Sequence, residues 1–303
     1  MPDLPADPLS AVVTLLRPAV SVSKLVEAGG EWQVERRDLD SPFYCAMVEG
    51  SCRVQVSGQD AITLRAGDFV LIPDLQSFVM VSESPPPPDL PRRPLETGPG
   101  QFRLGPADAP VTMRALVGHC RFDTPARDLL VSLLPRMIHA SGHARLLALV
   151  PAIHEETQAA RPGRGLILER LLEVLLIEAL RSVSAGEMPP GLLRGLADPQ
   201  LSGALERIHM DIAGAVSVAG LARAAGLSRS SFFERFRREI GRPPMEYVQD
   251  WRMSLARDLL RQGKLNNTEI ALRVGYGSAS AFGLAFARHQ GMSPRAFAAL
   301  PAT

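Results

Sequence analysis

Histidine is missing from the first 118 residues of this 303-residue chain, where His119 is the first to occur. That gap excludes an imidazole-ligated metal centre from the N-terminal third, because zinc and non-haem iron sites rest on His nitrogens with carboxylates. Cysteine is scarce too. Cys45, Cys52 and Cys120 are too few and too scattered for a disulfide framework or a paired-Cys zinc site, which fits a reducing cytoplasm. Packing is their expected role. Basic residues are lacking at the N-terminus, where Asp3 and Asp7 stand, so no secretory leader is expected. A long uninterrupted apolar run is also lacking: Leu166 to Leu180 is broken by Glu169, Arg170, Glu173 and Glu178, so no membrane span is expected. The expectation is a cytoplasmic protein with no membrane partner, no metal and no cofactor.

Length makes two domains the starting expectation. Charge is unevenly spread between them: residues 204–298 carry 14 Lys and Arg against 8 Asp and Glu, a net of +6, while residues 1–203 carry a net of −5. A basic C-terminal third points to a polyanionic partner.

After a short helix predicted over Ser10 to Leu16 come β-type runs at Val20–Val26, Gly30–Arg36, Phe43–Val48, Cys52–Val56, Ala61–Leu64, Phe69–Ile72, Phe78–Val81 and Val111–Gly118. Their shortness and apolar–polar alternation predict an antiparallel sandwich or barrel. Ser84 to Gly100, with its many prolines, reads as a solvent loop. Within the β region, Val48-Glu49-Gly50, then Gly67-Asp68 and Pro73, resemble the cupin barrel that heads one branch of the AraC/XylS-type regulators. The resemblance would place metal-binding His and Glu at positions occupied here by Phe78 and Phe43, and a glycine at Leu75. A metal-dependent cupin enzyme is therefore not expected. The barrel mouth remains a candidate site for a small-molecule effector.

From Pro125 the periodicity turns helical, through Leu129, Leu130, Leu133, Leu134, Met137 and Ile138 and again through Leu146, Leu149, Val150 and Ile153. Leu166 to Arg181 forms a long helix apolar around most of its circumference. It needs cover on more than one side, from the barrel and its neighbours or from a second subunit. The predicted organisation is a sensory and dimerisation domain over 1–183, a linker over 184–200 and a second domain over 201–303.

That second domain holds a repeat. Leu221-Ala222, Gly226-Leu227-Ser228, Phe232, Phe236, Gly241, Pro244 and Tyr247 return as Ile270-Ala271, Gly275-Tyr276, Ser278, Phe282, Phe286, Gly291, Pro294 and Phe297. Each copy reads as a short helix, a glycine turn and a longer helix capped by Ser228 or Ser278, the pattern of a helix-turn-helix. A helix over Glu246 to Arg261 would join the two, and a second short helix is predicted over Glu269 to Val274. Ala224-Ala225-Gly226-Leu227-Ser228-Arg229-Ser230, Phe236 through Met245, and Gly275-Tyr276 through Pro294 resemble the AraC/XylS-type DNA-binding domain. The fold class is then α+β: a cupin-like antiparallel barrel with associated helices, followed by an all-α double helix-turn-helix.

Helix geometry leaves Arg229, Ser230, Phe233, Glu234 and Arg237 as the outward candidates of the first head; Arg229, Arg237 and Arg238 would serve phosphate or guanine, Ser230 a base edge and Phe233 a thymine methyl. In the second head the candidates are Ser278, Ala279, Ser280, Gly283 and Arg288. Glu234 and Leu284 stand where the family commonly has arginine, and Ala287 and Ala298 where it has a basic residue, so the second head offers few donors. What the resemblance implies is a homodimeric activator that binds double-stranded promoter DNA and recruits RNA polymerase. The alternative is a ligand- or partner-binding dimer whose DNA reading is impaired.

Overall fold

The computed structural model of the chain describes residues 7–37, 41–75, 77–84, 86, 94–124, 127–159, 161–183 and 189–300. They form two compact units: Pro18–Phe122 with Arg136–Val183, and Met1–Arg17 with Asp123–Pro135 and Ser184–Thr303. This division cuts the chain differently from 1–183, 184–200 and 201–303, since two N-terminal segments and the described part of the expected linker join the C-terminal unit.

The first unit is built on eleven strands among the described residues: β1 (Pro18–Ala28), β2 (Gln33–Arg37), β3 (Phe43–Glu49), β4 (Ser51–Val56), β5 (Ile62–Arg65), β6 (Asp68–Ile72), β7 (Ser77–Val81), β8 (Leu95–Gly98), β9 (Gln101–Leu104), β10 (Met113–Phe122) and β11 (Ile138–Ser141). They pair in two sheets, β11-β6-β3-β10-β1-β9-β8 and β2-β7-β4-β5. Neighbours are antiparallel except β9, which runs parallel to β1. Buried and exposed residues alternate along β4, so one side of the strand supplies the core. Trp32, Phe43, Cys45, Met47, Cys52 and Val54 lie in that core.

Two stretches depart from expectation. The last part of Ser84 to Gly100 is strand β8, paired with β9; residues 85 and 87–93 of that stretch lie outside the described residues. The helix expected from Pro125 through Ile138 is instead a five-residue helix, α2 (Arg127–Val131), followed by β11. Ile138 pairs with Leu71 and Ser141 with Asp68, so the open edge of β6 is satisfied by a strand where the local pattern favours helix. Two further helices complete this unit, α3 (Ala144–Gln158) and α4 (Arg164–Arg181). His154 of α3 meets Ser23 of β1 at 3.2 Å, and Arg145 bridges to Glu178 of α4 at 2.8 Å.

Phe43, Leu75 and Phe78 are 2%, 0% and 5% exposed. Those apolar side chains do not fit a metal ion. The three thiols are buried as well, and burial pushes those of Cys52 and Cys120 up to about 12, which keeps them un-ionised and unreactive at neutral pH.

The second unit is helical. α1 (Pro8–Leu16) starts on an Asp7 cap that accepts from the Ser10 amide at 2.9 Å and buries Ala11, Val12, Leu15 and Leu16. It and α2 pack among α5 (Leu192–Ala197), α6 (Ser202–Met210), α7 (Val218–Ala224), α8 (Arg229–Ile240), α9 (Pro244–Gln262), α10 (Asn267–Arg273), α11 (Ala279–Gln290) and α12 (Pro294–Ala298). Arg17, which follows α1, bridges to Asp258 of α9 at 2.8 Å. Residues 184–188 lie outside the described residues, but from Pro189 the expected linker is packed structure. A Cβ on Gly195 would come within 2.2 Å of the Ile240 side chain, so glycine is what lets α5 lie against α8.

Candidate nucleic-acid interface

The repeat seen in sequence is a repeat in space. In the first head, Phe232 and Phe236 sit 5.5 Å apart and Phe236 meets Tyr247 edge-on at 5.6 Å and 74°. In the second, Phe282 and Phe286 sit 5.6 Å apart and Phe286 meets Phe297 at 5.5 Å and 72°. Offset and edge-to-face pairs of this kind add to the burial of the rings themselves. Both reading helices are capped alike: Ser228 Oγ accepts from the Ser231 amide at 3.2 Å and Ser278 Oγ from the Ala281 amide at 3.1 Å. Both end at a left-handed glycine, Gly241 with φ 83° and Gly291 with φ 73°, a backbone that a side chain would strain.

With Phe232 and Phe236 turned inward, α8 exposes Arg229, Ser230, Phe233, Glu234, Arg237 and Arg238, together with Ser231, which sequence reasoning leaves aside. Ser230, Phe233, Glu234 and Arg237 lie at i, i+3, i+4 and i+7 and so form one stripe. Arg238 stands apart from the others. Its Nε donates to Glu239 Oε1 at 2.7 Å, while Arg194 of α5 donates to Oε2 of the same carboxylate at 2.6 Å. Burial alone would raise the Glu239 carboxyl, but these two guanidinium hydrogen bonds outweigh it and hold the group below the ordinary range. Arg235, which sequence reasoning leaves aside, is tied to Asp198 at 2.7 Å. Arg229 and Arg237 form no ion pair among the described residues.

The second head is laid out differently. Ser278 uses its hydroxyl as the cap, Ala279 and Gly283 are half-buried, and the exposed row is Ser280, Ala281, Leu284 and Arg288. Leu284 is 57% exposed. Ala281 and Leu284 are not among the contacts predicted from sequence, although the i, i+4 offset from Ser280 to Leu284 could have placed the latter. α10 begins earlier than expected, at Asn267, because Asn266 and Glu269 close a capping box: Asn266 Oδ1 accepts from the Glu269 amide at 3.0 Å and Glu269 Oε2 from the Asn266 amide at 2.8 Å.

One helix, α9, holds both heads. Its Arg252 donates to the Ile212 carbonyl at 3.1 Å, just before the first head, and stacks over the Tyr276 ring in the turn of the second, at 5.6 Å from the centroid. Gln249 accepts from the Tyr276 hydroxyl at 2.8 Å. In the same core His209 touches Trp251 at 4.0 Å between ring centroids and meets the Tyr247 hydroxyl at 2.8 Å.

Comparison with known proteins agrees with this layout. The Cupin profile matches residues 7–185 and the Helix-turn-helix domain profile residues 221–299. A protein of Streptomyces antibioticus named "Putative AraC-like transcription regulator" is 35% identical over 305 residues, covering 95% of this chain and 97% of that one. The chain belongs to the AraC-like transcription regulators. Its α+β architecture and its helix-turn-helix DNA-binding domain are those of this family. Another relative is the HTH-type transcriptional regulator AlkR of Acinetobacter baylyi, 28% identical over 89% of this chain and 92% of its own. Among solved structures, the DNA-binding domain of the global transcriptional factor AdpA, in complex with a target DNA, is 30% identical over 34% of this chain and 91% of its own, with a TM-score of 0.32. No helix among the described residues is long and apolar enough to cross a membrane.

Proposed function

We propose that this AraC-like regulator is a cytoplasmic homodimer that activates transcription by binding one promoter site through both heads and recruiting RNA polymerase, with a small molecule in its barrel setting its activity. It acts by binding and not by turnover. The observation that carries the DNA reading is the exposed Ser230, Phe233, Arg237 stripe on a serine-capped helix seated by the Phe232–Phe236–Tyr247 cluster. The helix between the heads has 19 residues, roughly 28 Å at 1.5 Å per residue. That length suits major grooves one turn apart, about 34 Å on B-DNA.

For the dimer, the support is on α4. Leu168, Leu172, Leu175 and Leu176 are buried on one side, while Leu166, Ile167 and Val174 remain 60%, 44% and 45% exposed on the other. A second copy of the chain would cover them.

A second reading keeps the dimer and gives up most base recognition. Glu234 in the middle of the first stripe repels phosphate, and Leu284 offers the second head no donor. Selection from random duplexes at moderate salt separates the two. The expected result is a bipartite site whose half-sites lie about one helical turn apart; recovery of no preferred sequence would overturn the proposal.

A further inference from the structure

Ser228 and Ser278 cap the two reading helices, and Gly241 and Gly291 end them at the same distance from the cap. The outward positions of α8 and α11 therefore correspond one to one. Ser230 and Arg238 return as Ser280 and Arg288, but Arg229, Phe233, Glu234 and Arg237 return as Ala279, Gly283, Leu284 and Ala287. From Ala279 to Ala287 a single polar side chain remains, that of Ser280, on the same outward side as a Leu284 that is 57% exposed. Arg288 forms no ion pair among the described residues and is exposed near the end of the helix.

Packing inside the head does not require this composition. Phe282 and Phe286 supply the buried face, with Tyr276 against Phe282 at 5.9 Å. A Cβ on Gly283 would meet nothing within 4 Å, and the backbone there is helical. A glycine that weakens the helix relative to alanine thus stands where a side chain would fit, and glycine in such a place lets another surface come close to the backbone. In a helix-turn-helix that surface is the duplex, because the second helix of the motif is the one that enters the major groove. Of the base edges in that groove only thymine presents an apolar group, its C5-methyl. A leucine pressed on guanine or cytosine would instead cover their donors and acceptors and give them no partner.

We infer that the second head reads thymine: Leu284 lies against a thymine C5-methyl in the major groove, the side-chain-free surface at Gly283 lets the helix approach closely, and Arg288 holds a phosphate. This rests on the reading of the chain as a regulator that binds one promoter site through both heads, and it names the base that the second head selects. The row that lacks donors is then a reader of methyl groups, and the two half-sites are recognised by different chemistry.

The test uses the full chain and the duplex it selects from a random pool. Each thymine of that duplex is replaced in turn by uracil, which removes the C5-methyl and leaves the pairing edge intact, and affinities are measured for the natural chain and for Leu284→Ala. At one or more thymines of one half-site, uracil is expected to cost the natural chain about fourfold, the worth of one buried methyl, and to cost Leu284→Ala nothing. Leu284→Arg, carried through the same selection, is expected to exchange thymine for guanine at that position. Leu284 is exposed, so the melting temperatures of both variants should match that of the natural chain. Gly283→Leu is expected to weaken binding roughly tenfold or more, the size of a one-base mismatch, without lowering the melting temperature. A selected site at which Leu284→Ala silences no uracil effect, or undiminished binding by Gly283→Leu, would overturn the inference and leave the regulatory reading standing. Failure to select any site would overturn both.

Discussion

The carboxylate of Asp250, on α9, accepts from His289 Nε2 in the second head at 2.9 Å and from Arg242 Nη1 beside the first head at 2.6 Å. One side chain therefore fixes both heads to the helix between them. Two reading elements with a fixed separation bind a two-part site as one ligand, because the second contact occurs at high effective concentration. Asp250→Ala is expected to destabilise the chain by about 1–3 kcal/mol, since two donors lose a largely buried partner. It should also shrink the affinity advantage of a two-half-site duplex over a single half-site. Mobility-shift titrations on both duplexes read this out, and an unchanged ratio would mean that the heads are not coupled through Asp250.

Two neighbouring arginines of α8, Arg235 and Arg237, should behave in opposite ways. Arg237 is exposed and forms no ion pair among the described residues, so Arg237→Ala is expected to weaken operator binding by about 1–3 kcal/mol and leave the melting temperature unaltered. The salt slope would fall by about one if the contact is to phosphate. Arg235 is tied instead to an Asp198 side chain only 8% exposed, and Arg235→Ala should lower the melting temperature first. Thermal melts and filter-binding isotherms on the same samples distinguish the two patterns.

Acid should weaken the helical unit through His209. Its burial holds the imidazole down to about 3, with Asp7 opposing weakly, while an unfolded histidine titrates near ~6.5. The folded chain thus binds fewer protons at this site. Its contribution is complete above the unfolded value and is lost as the pH falls from about 6.5 toward 3, approaching ~1.4 kcal/mol per pH unit. Urea midpoints at stepped pH values check this, with His209→Phe expected to flatten the slope; an equal slope in the variant would place the titration elsewhere.

The exposed side of α4 gives the assembly test. Ile167→Glu with Val174→Glu adds two like charges to an apolar patch and touches no buried residue of the barrel. Sedimentation is expected to show a dimer for the natural chain and a monomer for the double variant. A dimer that survives both substitutions would place the subunit contact on another surface.

Much of the helical unit can be read from the sequence because its signals are local. Ser228 and Ser278 cap within three residues, Gly241 and Gly291 stop within one, and Phe232 with Phe236 shows the helical offset directly. What escapes the sequence depends on partners far along the chain. Ile138 to Ser141 looks helical among leucines and becomes a strand because β6, much earlier in the chain, offers an edge. Leu192 to Ala197 looks like linker because what seats it is Ile240, beyond the reach of any short window. At the reading surface the outward set of α8 is set by its periodicity. The engagement of Arg238 with Glu239 and Arg194 could not be foreseen, because Arg194 lies 45 residues from the carboxylate it shares.

The matched aromatic clusters, Phe232–Phe236–Tyr247 and Phe282–Phe286–Phe297, have a consequence for how such a chain can change over generations. What holds each head together is kept on the opposite side of the helix from what meets the outside. Substitutions at Ser230, Phe233, Leu284 or Arg288 can therefore accumulate without eroding the scaffold, and a duplicated copy of the gene could acquire a new set of target promoters while inheriting its foldability intact.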